Sequence, residues 1–496
     1  MSMLSLPTLS TLLAGLATVS PADERPVTGL ASDSRRLQPG ELFIALRGIR
    51  QHGLHFVAAA ERAGAVAIVW EPPCTEIPDS RLPLLAVPEL SRKLGVIAAR
   101  FYNQPGQHMT LIGITGTDGK TSTCHYLAQA LSQPERPCGV LGTLGYGVQA
   151  ELMPTQLTTP DALTLWQWLA GLRDRGVQHA VMEVSSHALA QGRADGLEFS
   201  VAVLTNLGRD HLDYHIDTSA YAAAKQRLFT ELQPRQSVLN LDDHFGRELA
   251  ERSGRQCIGY SQAAVPPMLS ERWVWGHELQ LLPDGLRLRI RSPEGGGELN
   301  SPLLGRFNVS NLLAALATLL ALGWPLEQAL ARLAQVKAPP GRMQRLGGDG
   351  RPLAVIDYAH TPQALEQVLM ALRDHGHHPI HCVLGCGGDR DPGKRPLMGL
   401  IAERWADQVT VTDDNPRWEN ASAITRQIIA AMQGNKHRVI NDRAQAIRAA
   451  LRQACAGDTV LIAGKGHEDY QIVGDQRFEF SDYEVAAAAL REWWSC

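Results

Sequence analysis

GITGTDGKTST, residues 113–123, closes an apolar run from Met109 to Ile114 and opens a helical pattern that continues to Leu131. Gly113, Gly116 and Gly119 supply permissive backbone, and Lys120 and Thr121 stand in the first turn of the predicted helix. Strand, glycine loop and helix in this order make a phosphate cradle. Backbone N–H groups and the helix N-terminus face phosphate oxygens, the lysine neutralises charge, and the threonine hydroxyl can ligate magnesium. The strict nucleotide-loop spacing asks for glycine where Ile114 stands, so the loop is a shortened variant, with a plain flexible turn as the alternative. Because the local signals agree, ATP is the expected co-substrate, held by Thr115, Gly116, Thr117, Asp118, Gly119, Lys120, Thr121 and Ser122. A carboxylate at Asp118 would repel phosphate if aimed inward, so its side chain is expected to face outward.

Upstream of the loop, short apolar segments at Glu41 to Leu46 and Ala65 to Trp70 alternate with helical patterns such as His55 to Ala63, as in a small α/β domain. The polar Pro-Gly stretch from Asn103 to Gln107 marks its end. Downstream, near-continuously apolar strands at Ala180 to Val184 and Val201 to Leu204 imply a buried parallel sheet. The run Lys337 to Gly341 breaks a helical stretch, and strands at Leu353 to Asp357, His381 to Leu384, Gln408 to Thr412 and Thr459 to Ala463 follow. The expected architecture is α/β in three domains: a small N-terminal domain over 1–107, a central P-loop NTPase-like parallel-sheet domain over 108–340, and a Rossmann-like domain over 341–496.

At 496 residues the chain is long enough for several cores. A formal net charge of -4, from 47 basic and 51 acidic residues, provides no basic field for a nucleic-acid backbone. Eight cysteines without C-x-x-C spacing fit free thiols in a reducing compartment. The apolar stretch near Leu12 to Val19 lacks the basic leader of a signal peptide. The run Leu312 to Leu322 is far shorter than the ~20 residues that cross a bilayer. A monomeric cytoplasmic protein without membrane insertion is expected. Gly385-Cys386-Gly387-Gly388 also follows a strand, but Arg390 stands where a dinucleotide fingerprint needs its third glycine, which leaves no nicotinamide site.

Three further segments join the loop: EVSSH at 183–187, TNLGRDHLDYH at 205–215 and DNPR at 414–417. Together they resemble the Mur ligases over nearly the whole chain. The resemblance implies a cytoplasmic ligase of peptidoglycan precursor synthesis that uses ATP and Mg2+ to form an amide bond. In that family a peptide carboxylate becomes an acyl phosphate, an incoming amine attacks through a tetrahedral intermediate, and ADP and phosphate leave. Such chemistry brings two anions together, which demands a divalent metal and cationic donors.

Glu183, at the end of its predicted strand, suits a hard magnesium ion beside Thr121, and the resemblance makes it a metal ligand. Read as residues alone, His211 and His215 are surface histidines on one helical face, and Lys225 is a solvated lysine in the helical stretch Tyr221 to Phe229. The resemblance instead places His211 on a second magnesium and makes Lys225 an N6-carboxylysine, turning an ammonium that repels metal into an anion that binds it. With Lys120, these are the expected catalytic residues. Resemblance also assigns Ser32, Ser34, Thr158, Thr159, Ser185, Gln191 and Arg193 to the UDP-linked peptide, and Asn311, Arg342, Asp357 and His360 to the adenosine of ATP. The uridine-side segment Ile49, Arg50, Gln51 departs from better-known members, so its backbone is expected to matter more than its side chains. A serine-hydrolase reading of Ser185, Ser186 and His187 lacks the flanking glycines of a nucleophile elbow.

Asp414 to Arg417 is on its own a polar turn after a strand. The resemblance is most specific to the members that add meso-diaminopimelate, which carries a second zwitterionic centre, and recognition of that centre calls for a guanidinium for the carboxylate and anions or carbonyls for the ammonium. The resemblance assigns Arg390, Asp414, Asn415, Pro416, Arg417, Gly464 and Glu468 to that pocket. The expected partners are thus a UDP-N-acetylmuramoyl dipeptide, meso-diaminopimelate and ATP. Lysine-adding relatives and folate polyglutamate synthetases share the ATP machinery but lack the DNPR motif. A regulatory module that keeps the fold without turnover would have no need of Glu183, His211 and Lys225.

Overall fold

The computed structural model describes residues 6–493 apart from 49–50, 150, 156, 212–213, 254–256 and 265–269. The chain forms two compact units, 1–259 with 268–272, and 260–267 with 273–496. Of the uridine-side segment, Ile49 and Arg50 lie outside the described residues.

In the first unit a four-stranded parallel sheet runs in chain order through Gly29–Ala31, Glu41–Ala45, Ala67–Trp70 and Leu84–Ala86. Its two central strands are almost wholly buried, as strands covered on both faces should be. The predicted helix at His55 to Ala63 divides into a 3-10 turn, Gly53–Phe56, and a helix, Val57–Arg62. The cause is His52, whose Nδ1 accepts the Leu54 N–H at 3.1 Å and tightens the entry. After the helix Leu90–Phe101 the chain turns through left-handed Asn103 and Gln104 into the 3-10 turn Pro105–His108, at the expected break.

The larger sheet of this unit has the order Gln236–Asn240, Val201–Leu204, Thr110–Thr115, His179–Glu183, Gly139–Gly142, Gly145–Val148, Glu151–Met153. The first five strands are parallel, and each of the last two pairs antiparallel with the strand before it. That hairpin was not expected from the sequence, whose glycines interrupt any apolar run there. Register pairs Leu204 with Thr115 and Ile114 with Glu183, so the carboxyl ends of three strands finish level, where ligands bind in open parallel sheets. Gly113 lies within the strand rather than in the loop. A Cβ there would stand 2.6 Å from the Phe199 ring, so its smallness serves packing.

In the second unit, Gly285–Ser292 pairs antiparallel with Arg272–Leu282 and Gly295–Ser301, and the buried helix Phe307–Ala321 follows. A six-stranded sheet has the order Gln344–Gly347, Leu353–Asp357, Thr459–Ala463, Ile380–Leu384, Gln408–Val411, His437–Val439, with only its first pair antiparallel. Apolar clusters cover both faces, giving the doubly wound arrangement expected. Thr361 caps the helix Pro362–Asp374 by accepting the Ala364 N–H, with Pro362 at the first position. No described helix is long and apolar enough to cross a membrane.

Candidate active site

The phosphate loop is a turn held from outside. Gly116 and Gly119 have φ of 151° and 81°, backbone that side chains rarely adopt. The segment after the neighbouring strand clamps it. Thr117 N–H donates to the Asn206 carbonyl at 3.0 Å, Asp118 N–H to Asn206 Oδ1 at 2.9 Å, and Thr205 Oγ1 to the Asp118 carbonyl at 2.6 Å. Asp118 is exposed. Lys120 opens the helix Lys120–Leu131 and donates to the Gly116 and Thr117 carbonyls at 2.8 and 2.9 Å.

Glu183 is 1% exposed, and its charge meets only neutral donors among the described residues. Thr121 Oγ1 donates to its Oε2 at 2.9 Å, and Thr143 N–H to its Oε1 at 2.8 Å. Gly142 leaves room for the carboxylate, since a Cβ there would stand 2.3 Å from Oε1. A buried carboxylate beside a hydroxyl, short of positive charge, is a hard oxygen donor set that suits a divalent cation. Among the described residues no cluster of three or more His, Cys, Asp or Glu stands ready to hold one, so a metal here would depend on hydroxyl and phosphate oxygens and on a modified lysine.

Lys225, in the helix Thr218–Thr230, is 1% exposed rather than solvated. It donates to the same Gly116 carbonyl as Lys120, at 2.7 Å, and its ammonium lies 4.4 Å from the Tyr221 ring centroid. Burial first, and the Lys120 ammonium second, hold its pKa well below the usual lysine range. Tyr221, one helical turn earlier, meets Thr117 Oγ1 at 3.1 Å, and burial pushes its hydroxyl up to about 12. His211 is exposed, 3.4 Å from Asp210, and stands edge-on to His187 at 4.9 Å. His215 is buried and meets Ser186 Oγ at 3.1 Å, so the two histidines do not share a surface face.

Thr158 Oγ1 meets Thr143 Oγ1 at 3.0 Å. Thr159 donates to the Glu183 carbonyl at 2.8 Å and accepts the Ser185 N–H at 3.1 Å. Arg193 donates to the Thr159 carbonyl at 2.7 Å and to Gln191 Oε1 at 2.9 Å. These expected substrate residues form one network ending at Glu183. Ser32 is exposed and Ser34 half-buried, and neither is hydrogen-bonded to that network among the described residues.

The second unit carries two groups. Asp357 is buried and accepts the Met343 N–H at 2.8 Å, and burial pushes its carboxyl up to about 6 against the pull of Arg342. Arg342 lies 4.8 Å over the Tyr358 ring, and its Nε has no hydrogen-bond partner among the described residues. His360 Nδ1 meets the Tyr358 carbonyl at 2.8 Å. Asn311 is buried and donates to Asn308 at 3.1 Å.

In the second group, Arg417 (φ 51°) donates to the Gly388 carbonyl at 2.7 Å, and Asp414 accepts the Asn415 N–H at 2.7 Å. A Cβ on Gly464 would stand 3.0 Å from Asp414 Oδ2. Asn415 donates to Glu468 at 2.9 Å. Pro416 sits in the same turn, and Arg390 is exposed nearby, where a Cβ on Gly387 would lie 3.9 Å from its Cγ. Sequence reading missed Lys465, fully buried and bonded to Glu468 at 2.8 Å and Asn415 at 3.2 Å. It also missed the hairpin Tyr470–Val473 and Gln476–Glu479, which receives the Arg417 N–H at Ile472. Glycines on both sides of Lys465 were the one available signal.

Three family models match in order: "Mur ligase family, catalytic domain" over residues 26–102, "Mur ligase middle domain" over 114–319, and "Mur ligase, glutamate ligase domain" over 341–466. A UDP-N-acetylmuramoyl-L-alanyl-D-glutamate--2,6-diaminopimelate ligase of Alkalilimnicola ehrlichii is 48% identical over 495 residues, covering 98% of this chain and 99% of that one. Its counterpart in Pseudomonas aeruginosa is 48% identical over 467 residues, covering 94% and 95%. A solved structure of a ligase of that name matches with a TM-score of 0.75 at 34% identity, covering 99% of each chain. A folylpolyglutamate synthase of Mycobacterium tuberculosis shares the fold, with a TM-score of 0.60 at 19% identity over 81% of this chain and 94% of that one.

Proposed function

The chain belongs to the Mur ligase family, and on that premise we propose that it joins meso-2,6-diaminopimelate to UDP-N-acetylmuramoyl-L-alanyl-D-glutamate with consumption of ATP. It is an ATP-dependent amide-bond-forming ligase of peptidoglycan synthesis. The observation that carries the reading is the buried Glu183 carboxylate. It bonds to Thr121 at the phosphate loop, and its own backbone anchors the Thr159, Ser185 and Arg193 network.

The loop N–H groups and Lys120 hold the ATP phosphates, and Asn311, Arg342, Asp357 and His360 take the adenosine end. Thr121, Glu183, His211 and a carbamylated Lys225 would hold Mg2+, which would supply charge neutralisation for the reacting anions. Arg193, Gln191, Ser185, Thr158 and Thr159 orient the UDP-linked peptide, with Ser32 and Ser34 toward its nucleotide end. A carboxylate oxygen of that peptide bonds to the γ-phosphorus as the bond to ADP breaks. The diaminopimelate amine then attacks the acyl carbon, phosphate leaves, and the nitrogen gives up a proton. Arg417 and Arg390 pair with the distant carboxylate of diaminopimelate, and Asp414 and Glu468 with its ammonium, in a pocket closed by Asn415, Pro416 and Gly464.

We also propose three domains over 1–107, 108–340 and 341–496, in a cytoplasmic monomer that handles no nucleic acid. A single 54.0 kDa species in sedimentation is expected, and a dimer would contradict the monomer. Phosphate release should require ATP, the UDP-linked dipeptide and diaminopimelate together, with L-lysine at least ~100-fold poorer because it leaves the guanidinium unpaired. Equal turnover with L-lysine overturns the choice of amino acid, and release without any amino acid overturns the ligase reading.

A further inference from the structure

Two loops that carry arginines of the amino-acid pocket turn through backbone that side chains rarely adopt. Asp389, just before Arg390, and Arg417 both have φ of 51°, and such residues persist only where surrounding bonds over-determine them. The loops lie against each other. Gly388 N–H donates to the Asn415 carbonyl at 2.9 Å, and Arg417 Nη1 to the Gly388 carbonyl at 2.7 Å. A Cβ on Gly388 would stand 1.9 Å from the Pro416 carbonyl oxygen, so this approach requires glycine.

Behind both loops sits a buried charge that has no ligand role. Arg395, in the first turn of the helix Lys394–Trp405, is 1% exposed. A guanidinium is costly to bury unless paired, the more so at the positive end of a helix. Its Nη1 and Nη2 donate to Glu419 Oε2 and Oε1, each at 2.8 Å, as a two-pronged fork. Nη2 also donates to the Gly387 carbonyl at 3.1 Å, and Nη1 to Gln427 Oε1 at 2.7 Å. Glu419 Oε1 in turn accepts the Asp389 N–H. The Arg395 bonds first, and the Asp389 N–H second, hold the Glu419 carboxyl down at about 2. The ion pair thus grips the first loop at Gly387 and Asp389, and the second at Glu419, two residues past Arg417.

We propose that Arg395 and Glu419 are positioning residues for the amino-acid substrate, setting the spacing of Arg390 and Arg417 so that both guanidiniums meet the distal carboxylate, an inference that rests on diaminopimelate being the amino acid this pocket takes. The fork is a geometric restraint that a point charge does not replace, and misplacement by about 1 Å at such groups is costly. Because the restraint acts through the two arginines, its loss penalises the substrate with a distal carboxylate and spares L-lysine, which has none.

The experiment compares steady-state kinetics of the full chain, Glu419→Gln and Arg395→Lys with meso-diaminopimelate and L-lysine as alternative amines. The parent is expected to prefer diaminopimelate at least ~100-fold. Equal turnover of the two amines by the parent overturns the choice of amino acid and the positioning role with it. With a selective parent, Glu419→Gln should raise the KM for diaminopimelate at least ~10-fold, leave the KM for ATP in place, and cut the preference over L-lysine at least ~10-fold. Arg395→Lys keeps the charge without the fork and should do the same. Glu419 is partly exposed, so Glu419→Gln decides even where Arg395→Lys does not fold. A pair that only stabilises the fold would lower kcat/KM for both amines alike. An unchanged preference in Glu419→Gln therefore overturns the positioning role while leaving the choice of amino acid standing, as does an equal rise in the KM for ATP.

Discussion

Glu183 and Lys225 are both withdrawn from water and bonded to neutral groups, Glu183 to the Thr121 hydroxyl and Lys225 to the Gly116 carbonyl, and the pull of Asp210 and Asp118 on Lys225 is weaker than the effects of its burial and of Lys120. For Lys225 the consequence is a side chain pushed toward the neutral amine by burial and by Lys120, which is the form that adds CO2 to give a carbamate and release a proton. Lys225→Ala should therefore lose about 10²–10³-fold in kcat, and acetate or propionate should restore part of it by filling the vacated anion position. Full activity without added acid would show that no such anion is needed. Gly116 answers to a simpler constraint. Its φ of 151° disfavours any side chain, and a Cβ would stand 1.8 Å from Thr205 Oγ1. Gly116→Ala should displace the Thr205 clamp and weaken ATP binding at least ~10-fold in calorimetry, and an unchanged Kd would refute the clamp.

The DNPR turn shows how a loop depends on elements that no motif names. Ile472 accepts the Arg417 N–H, and Arg417 accepts the Gly474 N–H at 2.7 Å, so the hairpin fixes the backbone that aims the guanidinium. The sequence marked Arg417 by type and spacing but was silent on the hairpin, because its strands are short and largely exposed and lack an alternating apolar face. Lys465 was hidden for the opposite reason, as a buried lysine among glycines carries no periodic signal. Its ammonium holds Glu468 and Asn415 together. Lys465→Met leaves a partly buried carboxylate without its cation, at a cost of about 1–3 kcal/mol. The KM for diaminopimelate should rise at least ~10-fold while the KM for ATP stays put, and equal rises in both would point to general unfolding instead.

Across the whole molecule the parallel sheets were legible because strands buried on both faces read as unbroken apolar runs. Val201–Leu204, Leu353–Asp357 and Thr459–Ala463 fall where the sequence puts them. Charged groups buried by long-range pairing were not legible, among them Arg443 with Asp482, 2.7 Å apart and wholly buried, and the histidines of the second unit. His375 Nε2 accepts the Gly305 N–H at 2.8 Å and Nδ1 faces the Leu282 carbonyl at 2.6 Å, so the fold holds the neutral ring with its proton on Nδ1. Burial lowers its pKa, and burial with the nearby His375 takes His377 down to about 4. Unfolded, both titrate near pH 6.5. Between about pH 6.5 and 4 the unfolded chain therefore binds protons that the folded chain refuses, and these two residues remove stability as pH falls. Asp357, raised to about 6, acts in the opposite sense below that pH, since the folded state protonates first. The comparison that isolates the histidine is thus a difference: His375→Gln should melt lower than the parent at pH 7.5, yet lose less Tm on going to pH 5. Parallel Tm profiles for the two proteins would mean that His375 is not what the acid reaches.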